Sequence, residues 1–375
     1  MTTVEIFLDS KTNVFFPNSE ITGKIYLNTI EAEIIRKVNV TIIGRAYVFF
    51  LVSHYQESRP YESEHYYLNE NECLWKLNES NQLLNGEHWF PFKFIIPSNA
   101  PANVSEEFGH VEYFIKADIE FYGKKFGGNK KYNKFQYYGF SVCPLIDLNN
   151  LDPKLKLTAS TKITQIEEKC FSCAKNPLNV KMTLPKSGFV CGEKIPIKIE
   201  IQNKTSMKIE SIEYGIELKC LYVGGYEWFW PRFVETVNKE TSFYVAKDCI
   251  KPESDCFICN ILIPPLSPTF TDCSILKLEY SVFVKIHTNA FFQSGPIISI
   301  PITIGTVPMK KIESEETLNA LEILKSANFL EGSNRCEIGD NYIWTFKERE
   351  GPKNVQPKFA CYSNLSLNEK LSVKE

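Results

Sequence analysis

The chain repeats itself, and that repetition limits what it can fold into. The stretch Ser187–Ile201 (SGFVCGEKIPIKIEI) has an earlier counterpart in Asn13–Leu27 (NVFFPNSEITGKIYL). In both, a Phe stands four residues before a Glu: Phe16 before Glu20, Phe189 before Glu193. Turn-forming residues lie between them and an alternating apolar run follows. A Gly or Asn in that gap lets the backbone reverse, and alternation buries one face of the next strand. A second pair strengthens the first. Ile95–Phe121 matches Leu262–Ile286, and Pro97 precedes Tyr113 by the interval that separates Pro264 from Tyr280. Two copies of one strand-rich unit therefore make up most of the chain.

The apolar periodicity predicts the strands of each copy. Val4–Leu8, Ile21–Leu27, Val38–Phe50, Trp89–Ile96, Val111–Phe121 and Phe135–Cys143 form the first. Lys194–Ile201, Ile209–Tyr222, Glu240–Val245, Cys256–Ile263, Leu276–Ile286 and Ile297–Ile304 form the second. His54–Cys73, polar and aromatic, reads as an exposed hairpin or loop. Ser314–Leu330 reads as a helix capped by Ser314. The expected fold is all-β: two tandem immunoglobulin-like β-sandwiches over residues 1–143 and 178–306, a partly extended linker over 144–177, and a tail over 307–375 that is partly helical or disordered.

The formal charge of −3 offers no bulk attraction for nucleic acid, so no nucleic-acid partner is expected. The start, MTTVEIFLDSK, lacks a basic region followed by an apolar run, and no stretch approaches the roughly 18–20 apolar residues of a membrane helix. A cytoplasmic protein is expected, its 12 cysteines read as thiols rather than a disulfide framework.

With the doubled units in place, the chain resembles the arrestin family, and within it the α-arrestins. The resemblance rests on Phe16–Gly23 (FPNSEITG), Trp89–Phe94 (WFPFKF), Gly109–Ala117 (GHVEYFIKA), Asp147–Asn149 (DLN), Pro185–Ile197 (PKSGFVCGEKIPI), Ile263–Tyr280 and Ile300–Pro308 (IPITIGTVP). It covers Val4–Pro308. It implies two arrestin-like sandwiches and a non-catalytic adaptor without a cofactor. Such an adaptor binds cytosolic segments of membrane proteins, links them to endocytic and ubiquitin-dependent sorting, and is recruited to plasma membrane and endosomes. Two features depart from the family. The Pro-Pro-x-Tyr motif that engages an E3 ubiquitin ligase is absent: the one Pro-Pro, Pro264–Pro265, is followed by Leu-Ser. The loop Pro264–Ser274 offers only Asp272 toward a phosphate-sensing charged cluster. A structural subunit of a coat or retrieval complex, similar to the retromer's arrestin-like subunit, is the alternative.

Two surface stretches stand out. Lys124, Lys125, Lys130, Lys131 and Lys134 surround a Gly-Gly turn. They suit anionic lipid or phosphorylated cargo, or equally a solvated hairpin whose lysines discourage edge pairing. Tyr226, Trp228, Phe229, Trp230 and Phe233 crowd one short run, as a partner or membrane contact or as an interdomain seam. Cys170/Cys173 and Cys256/Cys259 invite a zinc or thiol-exchange reading, but two strand positions three apart face opposite ways. His54 and His65 share one loop. No catalytic or metal-ligand motif is present, so no catalytic, cofactor-binding or metal residue is expected. In the tail, Asn341–Phe346 and Pro357–Tyr362 are apolar segments suited to strand addition on the first unit's sheet edge.

Overall fold

The computed structural model describes residues 2–29, 34–54, 57–78, 83, 85–125, 128–167, 176–229, 232–252, 254–289, 295–310, 319–332, 351–352 and 356–362. The chain divides into two compact units. The first comprises Met1–Pro144, Tyr222–Asn238 and Ser333–Lys358; the second comprises Leu145–Leu221, Lys239–Gly332 and Phe359–Glu375.

The first unit opens with β1 (Thr3–Leu8), β2 (Val14–Phe15), β3 (Glu20–Thr29), β4 (Ile34–His54), β5 (Glu57–Lys76) and β6 (Gly86–Ile95). It continues with β7 (Val104–Glu106), β8 (Gly109–Lys125) and β9 (Gly128–Val142). One sheet has the order β1-β3-β6; the other runs β5-β4-β8-β9-β2, with β7 on β8. Ile21, Ile25 and Leu27 of β3 point inward, as do Val38, Val40 and Ile42 of β4 and Ile115, Ile119 and Phe121 of β8. Alternation thus closes a sandwich core between the two sheets. His54–Cys73 is not a loop: β5 pairs with β4 from Lys76 to Glu57. Few of its side chains are buried, Tyr61 and Leu68 among them, so the ladder rather than an apolar face holds it.

The second unit holds β10 (Ala159–Glu167), β11 (Asn176–Leu184), β12 (Gly188–Val190), β13 (Lys194–Asn203), β14 (Ile209–Phe229) as far as Leu221, β15 (Arg232–Ile250) from Lys239, β16 (Cys256–Leu262), β17 (Leu276–Thr288) and β18 (Ile297–Gly305). One sheet is ordered β10-β11-β13-β16, the other β12-β18-β17-β14, with β15 on β14. Leu178, Val180, Ile197 and Ile199 meet Ile216, Leu218, Leu278 and Val282 in its buried core. The chain is therefore all-β, built from two sandwiches.

The segment that the sequence reads as linker carries structure of its own. Thr306 N–H donates to the Ile146 carbonyl at 2.9 Å, and Asp147 bridges Val307. Asn149 clamps the same strand end, its Nδ2 donating to the Pro308 carbonyl and its Oδ1 accepting from Lys310 N–H, both at 2.9 Å. Leu148 is buried against Gly305, where an added Cβ would meet its Cγ at 2.7 Å. The DLN and IGTVP stretches are thus two halves of one joint. A 3₁₀ turn at Pro153–Lys156 and β10 follow.

Beyond β18 come α1 (Ala320–Lys325), β19 (Asn328–Glu331) and β20 (Lys358–Cys361). The helix cap is Asn319; Ser314 lies outside the described residues. Asn319 accepts from Leu321 N–H while Glu322 accepts from Asn319 N–H, each at 3.1 Å, a reciprocal capping box. β20 falls in the expected Pro357–Tyr362 segment, but it pairs with β19 instead of adding to the first unit's sheet edge. Asn341–Phe346 lies outside the described residues.

The duplication is visible bond by bond, shifted by one residue from the sequence reading. Asn18 N–H donates to the Ile96 carbonyl at 2.8 Å; Gly192 N–H donates to the Ile263 carbonyl at 2.9 Å. Both carbonyls belong to the residue before the repeated proline. Asn18 (φ 61°) and Gly192 (φ 85°) are both left-handed, which suits Asn and Gly. Ser19 Oγ accepts from Phe16 N–H, and Glu193 Oε2 accepts from Val190 N–H, each at 3.2 Å. Glu193 therefore matches Ser19, not Glu20, and Phe189 matches Phe15, not Phe16. Phe15 pairs with Val142 on β9 as Phe189 pairs with Ile304 on β18, both parallel.

Candidate functional site

The outer face of the sheet β1-β3-β6 carries an exposed aromatic cluster. Register places Glu5, Tyr26 and Trp89 in one row, with Thr3, Asn28 and Glu87 in the next row on the same face. Phe7, Lys24 and Pro91 form the row on the other side. The ring of Trp89 lies 4.7 Å from Tyr26 and 5.8 Å from Phe7, centroid to centroid. Phe7 is 45% exposed and Trp89 51% exposed, so neither serves the core. Burial at the sheet surface, and then the Glu87 carboxylate hydrogen-bonded to it, push the Tyr26 phenol above its ordinary value. The cluster therefore presents three π-faces with carboxylates at Glu5 and Glu87 beside them. Such an arrangement attracts a cation, at about 0.5–1 kcal/mol per exposed ring contact.

A groove of about 520 Å³ extends this surface along β6, lined by Pro91–Ile95 and by Glu70 and Glu72 of β5. Ile95, on the outward side of β6, is also exposed. The groove adds two more carboxylates, apolar wall and Lys93, whose ammonium pairs with Glu20 at 2.6 Å.

A second polar assembly lies on the sheet of β4, β5 and β8. Arg45 stands directly across from Glu112 on β8 and from Tyr66 on β5. Its Nε and Nη2 both reach Glu112 Oε1, at 3.0 and 2.8 Å, and Nη1 reaches Glu64 Oε1 at 2.8 Å. His110 Nε2 lies 3.4 Å from Glu112. Burial opposes the Arg45 charge, but Glu112 and Glu64 outweigh it and hold the guanidinium protonated more firmly than usual. This shared carboxylate fixes three strands through one side chain. Sequence reasoning missed it because the partners are 67 and 19 residues apart and form no local motif.

The lysine stretch forms the β8–β9 hairpin end, where Lys124 pairs with Asn129, Lys125 with Gly128 and Lys130 with Gly123. Lys131 lies 3.8 Å from Glu120, and the Lys134 ammonium donates to the Thr2 carbonyl. The side chains of Lys124, Lys125 and Lys130 lie outside the described residues. Of the aromatic run, Tyr226 stacks 5.7 Å from Tyr61 with the Arg59 guanidinium 5.8 Å from its ring. Trp230 and the side chains of Trp228, Phe229 and Phe233 lie outside the described residues.

Cys170 and Cys173 also lie outside the described residues. Cys259 is buried on β16, donating to the Ile197 carbonyl at 3.6 Å, while Cys256 is half-buried. Burial pushes the Cys259 thiol up to about 12. His54 contacts the Tyr61 hydroxyl at 3.2 Å, and His65 packs on Tyr67. Among the described residues no group of three or more His, Cys, Asp or Glu is placed to hold a metal ion. Among them, too, no helix is long and apolar enough to cross a membrane.

Residues 4–149 match the family model of the arrestin (or S-antigen) N-terminal domain, and residues 174–309 match that of the C-terminal domain. The chain is similar to arrestin domain-containing protein 17 of Caenorhabditis elegans, 24% identical over 81% of this chain and 70% of the relative. It is similar to human arrestin domain-containing protein 4, 24% identical over 72% of this chain and 62% of the relative. Human arrestin domain-containing protein 5 is 24% identical over 73% of this chain and 79% of the relative.

Proposed function

The chain belongs to the arrestin family, its two sandwiches matching that family's N- and C-terminal domains, and from that premise we propose that it is a non-catalytic adaptor in protein transport. Its cargo is the cytosolic segment of a membrane protein, which it links to endocytic and ubiquitin-dependent sorting. The observation that carries this reading is the Phe7–Tyr26–Trp89 cluster with Glu5 and Glu87 beside it. Cytosolic segments flanking membrane spans are rich in Lys and Arg. A basic segment of that kind sets cations on the three rings and near the carboxylates, while its apolar residues follow the groove along β6. Each contact is weak, so several must act together. The lysine hairpin at Lys124, Lys125, Lys130, Lys131 and Lys134 then meets anionic headgroups beside the cargo, at about 1 kcal/mol per charge near a membrane surface. The cell location is cytoplasmic, with recruitment to plasma membrane and endosomes.

Proximity labelling in cells tests this, comparing the full chain with Phe7→Ser/Trp89→Ser. These positions are exposed, so the fold tolerates the change. Membrane proteins labelled by the wild type and lost in the variant support the reading. An unchanged set of membrane proteins removes the aromatic cluster from it. One fixed set of coat subunits in both replaces the adaptor with the structural alternative.

A further inference from the structure

The tail strand brings a second cysteine to a buried one. Phe359, Ala360 and Cys361 of β20 are all buried. Their continuation is fastened to the second unit: Tyr362 N–H donates to the Cys191 carbonyl at 3.0 Å, and the Tyr362 hydroxyl donates to the Thr306 carbonyl at 2.7 Å. The Cys191 thiol sits in a fixed place, donating to the Leu266 carbonyl and accepting from Leu266 N–H, both at 3.4 Å. The Cys361 side chain lies within hydrogen-bond reach of that of Cys191. Neither is in a disulfide. We propose that Cys191 and Cys361 are a redox-modifiable pair whose disulfide locks the tail strand onto the second unit.

The chemistry needs hydrogen peroxide as oxidant. Docked, both thiols are shielded from solvent, so oxidation begins when β20 lifts away and Cys361 meets water. The Cys361 thiolate attacks the peroxide, forming sulfenic acid and releasing hydroxide. On redocking, the Cys191 thiol attacks the sulfenic sulfur; the S–O bond breaks, the S–S bond forms, and water leaves with the thiol proton. The sum is two thiols and one peroxide to one disulfide and two waters. The disulfide keeps the strand seated; a thiol reductant releases it.

The test uses the full chain, reduced, then treated with hydrogen peroxide, alkylated and digested without reductant for mass spectrometry. A linked pair of peptides bearing Cys191 and Cys361, separated again by dithiothreitol, is the expected result. In the linked form Cys361 should not alkylate until dithiothreitol is added, whereas in the reduced form it does. Cys361→Ser should abolish the link. If that variant fails to fold, the wild-type peptide map still decides. Cys361 found as sulfinic acid without a link, linked to another cysteine, or still free beside a free Cys191 after the treatment overturns the proposal.

Discussion

Tyr280 donates its buried hydroxyl to the Ser267 carbonyl at 2.7 Å, pinning the loop that enters β17. Tyr113 does the same in the first unit, donating to the Pro101 carbonyl at 2.8 Å ahead of β8. Both rings are buried, so neither carbonyl finds water if the phenol is removed. Tyr280→Phe and Tyr113→Phe should each cost about 1–3 kcal/mol, the penalty for a buried acceptor left without a donor. Urea unfolding of each variant checks this, and a loss under about half a kcal/mol would show that water replaces the phenol.

Glu112 Oε1 on β8 accepts from both Nε and Nη2 of Arg45 on β4, with His110 Nε2 3.4 Å away. Glu112→Gln leaves Arg45, whose side chain is 13% exposed, with Glu64 as its remaining charged partner. A loss of about 1.5–3 kcal/mol is expected, the scale of a charge-assisted hydrogen bond. Replacing Arg45 and Glu112 together with Met and Leu should cost less than Glu112→Gln alone, because it leaves no buried unpaired charge. Thermal unfolding of the three proteins ranks them.

Glu213 contributes to the pH dependence of the second unit. Its Oε2 lies 3.1 Å from His287 Nε2 and its Oε1 3.4 Å from Lys247 Nζ. The His287 hydrogen bond, opposed by burial and aided by Lys247, lowers its carboxyl below the ordinary 4.5. A carboxylate depressed on folding stabilises above its unfolded value, and that contribution disappears as pH falls through the folded value. Glu213→Gln should therefore be less stable than wild type at about pH 7, with the gap closing below about pH 4. Urea midpoints measured across that range test the sign.

Strand periodicity made the sandwiches legible, because β3, β8, β13 and β17 each bury alternate residues on one face. β5 was legible only as a hairpin or loop: its carboxylates and amides face water on both sides, and its long ladder with β4 orders it. The repeat was legible to within one residue. Glu20 and Glu193 align by type, yet the hydrogen bond belongs to Ser19, since any side-chain oxygen at that position accepts from the backbone. The Phe7–Tyr26–Trp89 cluster hid because its rings come from three strands and meet only through register. Cys361 hid for the same reason, since nothing local to it announces Cys191.

Gly192 controls whether β20's continuation can stay seated. Its φ of 85° is left-handed, and a Cβ added there would lie 2.7 Å from the Tyr362 carbonyl oxygen and 2.8 Å from its nitrogen. Both atoms are backbone and cannot swing aside as a side chain would. Gly192→Ala therefore meets two penalties, about 1–2 kcal/mol for the left-handed backbone and a steric clash that moving Tyr362 relieves. The tail yields more cheaply than the turn, because Gly192 N–H also holds the Ile263 carbonyl, the bond that Asn18 makes in the first unit. Hydrogen exchange at residues 359–362 should accelerate in the variant while the β13 and β16 amides keep their protection. Gly192→Asn, which tolerates the left-handed region but still carries a Cβ, separates the two penalties. If it too speeds exchange at 359–362, the clash with Tyr362 governs; if the tail stays protected, backbone strain alone explains the alanine variant.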